Sequence, residues 1–358
     1  MEREHVLVTG GAGFVGGWIV KQLIEQHPEF KVTILDVEKR DSWRSSQAGI
    51  DFIQADVTNE AQVKSALETA KPSIVIHAAG LVPAGNDRYS PTQEVRDRVY
   101  NVNVNGTHHI LNASKSVGVK CFIFTSSITI VSDDVDHIYP NVDETAATGN
   151  ASLVYGYMKG IAEKIVLDTN STDFLTCAIR PSVILGPGDY QLLPTIHRCI
   201  AKGETPFVIG SADNLYDFVY VSNVADAHFL AVENLLTTKT AAGEAFFISN
   251  GQPIPFRHFC LAVWADFGHV PKFQIWIPTS VAWFAGFCAE WATWLTGTEA
   301  TLSRGSVKDY TQTAYTNLNK SREILGYQPR VGLSEGIRLS CEVRDSKPCK
   351  NIITAEIE

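Results

Sequence analysis

Two tyrosines and a lysine fall within five positions of the stretch LVYGYMKGIAEK, residues 153–164. On a helix, residues four apart share a face, so Tyr155 has the Lys159 ammonium beside it. Tyr157 points to the opposite side, and its own i+4 neighbour is Ile161. A phenol titrates near ~10 in water. A fixed positive charge favours the phenolate and would let Tyr155 take an alcohol proton near neutral pH. In FTSS, Ser127 ends the preceding strand candidate and would hydrogen-bond the same substrate oxygen. Asn103, in NVNGT on the helix before, would hold a water that links Lys159 to solvent. Taken singly, these residues read as an exposed aromatic, a cap and a helix-entry residue. Behind a nucleotide-binding turn, in this order, they describe one proton-transfer site.

Such a turn is present. VLVTGGAGFVGGWIV sets Gly10, Gly13 and Gly16 between the first strand and the first helix, with Phe14 and Val15 inside the turn. A tight turn wants a residue tolerant of positive φ, a pyrophosphate needs close backbone approach, and the helix must pack without a Cβ in the way. The helix N-terminus then receives the phosphates. The second strand ends in Asp36, twenty residues after Gly16. A carboxylate there accepts from the ribose hydroxyls of NAD and repels a 2′-phosphate, although Lys39 and Arg40 follow closely. NAD is the expected cofactor, and its oxidised nicotinamide would add a second positive charge near Tyr155. Asp56 and Val57 follow the third strand where an adenine would lie, Asp56 doubling as a helix-entry candidate. Ala78, Ala79 and Gly80 in HAAG offer small-residue backbone to the cofactor.

These groups must be positioned by alternating elements. HVLVTG, KVTILD, IDFIQAD, SIVIHAA, KCFIFTSS and FLTCAIRP read as buried parallel strands, with helical spacing between them. The expected fold is α/β: a doubly wound parallel (Rossmann) sheet with a smaller, mostly helical C-terminal substrate lobe. The expected division is 1–185 for NAD binding and 186–345 for substrate, with 346–358 as a tail. The strand-like EAFFISNG at 244–251 is able to return to the sheet. Five of the seven tryptophans, Trp264, Trp276, Trp283, Trp291 and Trp294, fall in 251–300. Pro278, Thr279 and Ser280 interrupt the uncharged run 273–289, which excludes a spanning helix and predicts one over about 281–295. Its apolar surface reads either as a wall of a lipophilic pocket or membrane-surface patch, or as core or a dimer contact.

The chain has 358 residues, 45% hydrophobic, with a net charge of −9 and no basic stripe, which argues against nucleic acid as a partner. Seven scattered cysteines without C-x-x-C spacing suit a reducing compartment and no structural zinc. MEREHVLVTGG enters a strand at once and leaves no room for a signal peptide, so a cytoplasmic protein is expected.

The turn Thr9–Gly16, the Ser127/Tyr155/Lys159 set and RPSVILGPGD resemble those of the extended short-chain dehydrogenases. LGPGDYQLLPTIHRCI, NLYDFVYVSNVADAHFLAVENL and LGYQPRVGLSEGIR are similar to the 3β-hydroxysteroid dehydrogenase branch, in particular its decarboxylating sterol-4α-carboxylate 3-dehydrogenases. The resemblance spans roughly residues 5–340. It implies NAD-dependent oxidation of a sterol or triterpenoid 3β-hydroxyl to the ketone, with loss of a neighbouring carboxylate, and adds Pro181 and Val183 to the cofactor shell. It also implies a lipophilic substrate, a homodimer and peripheral contact with the endoplasmic reticulum membrane. Tailoring of a terpenoid metabolite, a nucleotide-sugar epimerase or dehydratase, and a redox-sensing module that only holds NAD are the competing readings.

Overall fold

Seven parallel strands form the central sheet of the computed structural model, which describes residues 4–39, 50–296 and 302–345. They are β1 (His5–Thr9), β2 (Lys31–Asp36), β3 (Ile50–Gln54), β4 (Ile74–His77), β5 (Cys121–Thr125), β7 (Leu175–Pro181) and β12 (Ala245–Ile248). Their order is β12-β7-β5-β4-β1-β2-β3. The chain reverses its direction of travel between β1 and β4, and ligands bind at the carboxyl ends of strands beside such a switch point. A second sheet holds β6 (Tyr139–Val142), β10 (Leu215–Tyr216), β13 (Ile254–Pro255) and β15 (Ala314–Thr316). Two pairs complete the strands: β8 (Val183–Leu185) with β11 (Phe218–Tyr220), and β9 (Phe207–Ile209) with β14 (Ile275–Ile277).

The helices are α1 (Phe14–Gln26), α2 (Glu60–Ala70), α3 (Asn86–Tyr89), α4 (Gln93–Tyr100), α5 (Gly106–Ser116), α6 (Thr129–Ser132) and α7 (Val154–Asp168). After them come α8 (Leu192–Ala201), α9 (Val221–Leu236), α10 (Phe256–Asp266), α11 (Thr279–Thr296), α12 (Arg304–Thr311), α13 (Asn319–Leu325) and α14 (Leu333–Asp345). A π-helical turn, Asn101–Asn105, joins α4 to α5.

The strands read as unbroken apolar runs because both faces of the sheet are covered. Val6, Val8, Ile74, Ile76 and Ile123 pack on one side with Ile19, Val20 and Leu23 of α1 and Val224, Ala231 and Leu235 of α9. On the other side Leu7, Val75, Phe122 and Phe124 meet α2, α5 and α7 through Val63, Leu67, Ile110, Leu111, Ala162 and Val166. Chain beyond residue 186 therefore supplies both a sheet strand, β12, and a covering helix, α9. A separate core around Phe218, Phe259, Trp264, Leu193, Ile196 and Ile337 holds the C-terminal lobe together.

Of the five clustered tryptophans, Trp264 is core, its indole donating to the Ile196 carbonyl at 2.8 Å. Trp276, Trp283 and Trp291 are exposed. Arg40, Cys349, the side chain of Trp294 and the segment 346–358 lie outside the described residues.

Candidate active site

A continuous cleft of about 3240 Å³ runs from the carboxyl ends of β1, β2 and β4 to the C-terminal lobe. At its cofactor end, Gly10 takes a φ of +66°, and a Cβ there would stand 2.8 Å from the Ala79 backbone. A Cβ on Gly16 would lie 2.1 Å from the Gly10 carbonyl oxygen, so α1 can sit this close to the turn only with glycine. No side chain caps α1, so its positive dipole end faces the cleft beside Gly13, Phe14 and Val15.

Asp36 closes β2 and lines the same space. Its Oδ2 accepts from the Ala12 N–H at 3.0 Å and its Oδ1 from the Val37 N–H at 2.8 Å, which fixes the carboxylate against the glycine turn. Lys39 instead lies over the Phe52 ring, 6.0 Å from its centroid. This arrangement suits NAD, with Asp36 placed for the ribose hydroxyls and the α1 terminus for the pyrophosphate.

Asp56 accepts from both the Thr58 N–H and hydroxyl at 2.8 Å, while Asn59 caps α2. The helix-entry role thus falls to Asn59, and Asp56 shapes the turn in front of it. Val57 occupies the gap left by Gly106, where a Cβ would come within 2.9 Å of Val57 Cγ2. Ala78, Ala79, Gly80, Pro181 and Val183 also line the cleft.

At the other end, Tyr155 and Lys159 share the inner face of α7, 9% and 3% exposed, while Tyr157 is 46% exposed on the outer face. Ser127 follows β5 and lines the cleft beside Tyr155, its Oγ accepting from the Thr129 N–H at 3.2 Å. The Lys159 ammonium donates to the Thr125 carbonyl at 2.7 Å and lies 4.6 Å from the Phe124 ring centroid.

Asn103 is buried behind this surface and does not line the cleft. Its Oδ1 accepts from the Leu81 N–H at 2.8 Å and its Nδ2 donates to the Leu81 carbonyl at 2.9 Å. The Asn103 amide thereby fixes the loop after β4. A Cβ on Gly80 would stand 3.3 Å from Lys159 Nζ and 3.4 Å from Asn103 Oδ1, so glycine lets the loop pass between them. The Asn103 carbonyl accepts from the Thr107 hydroxyl at 2.7 Å. That hydroxyl in turn meets His77 Nε2 at 3.0 Å, and His77 Nδ1 meets Thr9 Oγ1 at 2.6 Å. Burial, with the Lys159 charge second, pushes His77 down to about 3, so this chain is held by a neutral imidazole.

Tyr155 is not an easily formed phenolate in the protein alone: burial pushes it up, and the neighbouring Asp133 and Tyr190 add to the rise. Arg88 and the nearby Ser127 hydroxyl act in the other direction. Burial also pushes Lys159 down to about 8, opposed by Glu163. The sequence shows the lysine four residues on; it hides the desolvation and the carboxylate behind the phenol.

That carboxylate belongs to a network absent from the sequence reading. Asp133, with 1% of its side chain exposed, accepts from Arg88 Nη2 at 2.9 Å. Arg88 also reaches Asp309 on α12 at 3.2 Å. The Tyr89 hydroxyl donates to Asp309 at 2.9 Å, and the Tyr216 hydroxyl donates to the Asp309 carbonyl. Positions 88, 133 and 309 carry no spacing signal that could have joined them.

The outer cleft is mixed rather than wholly oily. Ile196, Phe207, Phe256, Trp264, Phe267 and Ile277 share its wall with Arg198, Lys202 and Arg257. Arg257 donates to the Thr205 carbonyl at 2.9 Å and stacks on Trp264 at 5.0 Å.

Residues 7–279 match the 3-beta hydroxysteroid dehydrogenase/isomerase family. The decarboxylating sterol-4-alpha-carboxylate 3-dehydrogenase of Saccharomyces cerevisiae is 36% identical, covering 93% of this chain and 96% of its own. Its Schizosaccharomyces pombe counterpart is 35% identical over 97% of this chain and 99% of its own. The mouse protein of that name is 31% identical, with 94% and 90% covered. Among solved structures, the epimerase Mth375 of Methanothermobacter thermautotrophicus superposes with a TM-score of 0.74 at 20% identity, covering 99% of this chain and 95% of its own. The UDP-glucose 4-epimerase of Thermotoga maritima gives 0.72 at 21%, with 99% and 100% covered. At those identities the likeness is one of fold.

Proposed function

The chain belongs to the 3-beta hydroxysteroid dehydrogenase/isomerase family, and from that premise we propose that this NAD-dependent oxidoreductase oxidises the 3β-hydroxyl of a sterol 4α-carboxylate and releases the carboxylate as carbon dioxide. One observation supports this most: Ser127, Tyr155 and Lys159 converge on the cleft whose far end is built by the glycine turn and Asp36. NAD, when bound, supplies the hydride acceptor and a positively charged ring. Tyr155 takes the hydroxyl proton, Lys159 supplies the positive field that favours the phenolate, and Ser127 orients the oxygen as charge develops on it. The product ketone lies β to a carboxylate, and loss of carbon dioxide leaves an enolate on that oxygen. The same two hydroxyl groups serve it, so the step needs no further residue.

An NADH assay on 3β-hydroxysterols with and without a 4α-carboxylate, with carbon dioxide followed in parallel, tests the reading. NADH from both and carbon dioxide from the carboxylate alone is the expected result; turnover of neither removes it. Arg198, Lys202 and Arg257 in the cleft wall favour a second reading, a nucleotide sugar, so UDP-glucose belongs in the same screen. Its epimerisation would replace the sterol proposal.

No helix among the described residues is long and apolar enough to cross a membrane. We read the outer face of α11 and the β9/β14 pair as peripheral contact with the cytoplasmic side of the endoplasmic reticulum membrane. Phe284 is 62% and Trp276 56% exposed, and Phe207 and Ile277 of the same pair line the cleft, so a sterol would pass from lipid to site along one apolar surface. A homodimer would cover the same face. Flotation with liposomes that is lost in Trp283→Ser/Phe287→Ser supports the membrane reading. A change of oligomeric mass in that variant, without any liposome binding by the wild type, supports the dimer.

A further inference from the structure

We propose that Asp133 is a positioning residue for Tyr155: its carboxylate docks the first turn of α7 and, with Arg88 as counter-ion, fixes the charge behind the phenol. The helix lacks a side-chain cap of its own, since Leu153 at the N-cap position offers none. Asp133 does the task from a distance. Its Oδ2 accepts from the Gly156 N–H at 2.8 Å, one residue past Tyr155. Its main-chain oxygen accepts from the Ser152 N–H at 2.9 Å and the Leu153 N–H at 3.3 Å. A carboxylate at a helix N-terminus also gains from the dipole.

Gly156 explains the close fit. A Cβ there would lie 2.1 Å from the Thr129 carbonyl oxygen and 2.7 Å from Asp133 Cβ, so α7 rests on α6 and Asp133 with no room for a side chain. The residue between the two tyrosines is thus what sets how deeply Tyr155 sits.

The charge has a direction of effect. Around Asp133 stand Arg88 and Tyr89 of α3, Asp309 of α12, Tyr216 of β10 and Tyr155 itself, with Tyr190 beyond the phenol. Two carboxylates share one guanidinium, which leaves negative charge behind Tyr155. Burial pushes Asp133 up, while the Arg88 guanidinium, 2.9 Å away, opposes the rise and favours the charged carboxylate. A negative charge there disfavours the phenolate until substrate and cofactor fill the cleft.

The inference rests on Tyr155 as the proton-transfer group, and Tyr155→Phe assayed in parallel separates the two. Full turnover in Y155F removes the reaction reading, whereas the Asp133 variants bear on Asp133 alone. D133N keeps an oxygen for the Gly156 N–H and deletes the charge; D133A deletes both. Both should move the acidic limb of the kcat/KM profile to lower pH, because the phenolate then forms more easily. In D133A kcat should fall about tenfold or more, and less in D133N, with NAD affinity within about twofold in each. A limb unmoved in both variants, in protein that still binds NAD, overturns the proposal. Should neither fold, G156A carries the test: it retains the charge, so kcat should fall about tenfold or more with the limb in place. Wild-type kcat in G156A overturns the positioning.

Discussion

The Lys159 ammonium donates to the main-chain oxygen of Thr125 across 2.7 Å, tying that buried charge to the end of β5. The Thr125 hydroxyl is itself 2.8 Å from His228 Nε2, so β5, α7 and α9 are joined through Thr125, with Lys159 holding its carbonyl. Removing the lysine should therefore alter both chemistry and stability.

Lys159→Met is expected to lower kcat about 10²-fold or more. The stability effect has a defined pH window. Folding lowers Lys159 from 10.5 to about 8, so between those values the unfolded chain binds more protons. The stability of the wild type relative to Lys159→Met should rise with pH across that window, the buried thiols and phenols that titrate there being common to both proteins. Urea midpoints at intervals from pH 7.5 to 10.5 measure it; parallel curves for the two proteins would contradict the buried-ammonium assignment.

Within YGYMK the two tyrosines should behave oppositely. Tyr155→Phe should cost about 10³-fold in kcat, and Ser127→Ala about 10²-fold, with NAD affinity little changed. Tyr157, 46% exposed, should tolerate Phe with kcat within about twofold. Steady-state kinetics on all three variants distinguish a proton donor–acceptor from a surface ring.

Asp36→Ala should weaken NAD about tenfold or more through loss of a charged acceptor at the ribose, and narrow the preference for NAD over NADP. Part of the loss will be structural, because Asp36 also holds the Ala12 N–H at 3.0 Å. Fluorescence titration with each dinucleotide gives the ratio; an unchanged ratio would place the ribose elsewhere.

Glu163 lies one turn beyond Lys159 and clamps Arg180 with bonds of 2.9 and 2.6 Å. Both side chains are almost fully buried, 4% and 6% exposed, and Arg180 Nη1 has no hydrogen-bond partner among the described residues. Glu163→Gln removes the carboxylate that clamps the guanidinium and leaves only Glu144, outside ion-pair distance, to oppose its charge, so a loss of about 3 kcal/mol is expected. Equilibrium denaturation of the variant would show it.

What could be read from the chain was local. The glycine turn works through residues three apart, Tyr155 and Lys159 through one helical turn, and the sheet through unbroken runs such as VLVT and IVIH. What could not be read depends on residues far apart or on environment. Arg88, Asp133 and Asp309 meet only after folding. The bonds of Asn103 to Leu81 were hidden, because nothing in NVNGT reveals a π-helical turn. The tryptophan-rich segment stood out by composition, yet Trp264 packs inward and Trp276 outward, a sorting that only the packing of α10 and β14 decides. Charge spacing around the phenol is visible in sequence, and its burial is not.

The placement of β12 beside β7 has a practical outcome. A fragment ending near 185 would leave β7 as an open edge, a row of unpaired amides that templates aggregation. It would also strip α9 from α1 and bare the apolar side of the nucleotide-binding half. The two halves of this enzyme therefore cannot be shuffled between relatives by a single crossover at that point; a working chimaera would have to carry 221–248 along with the first half.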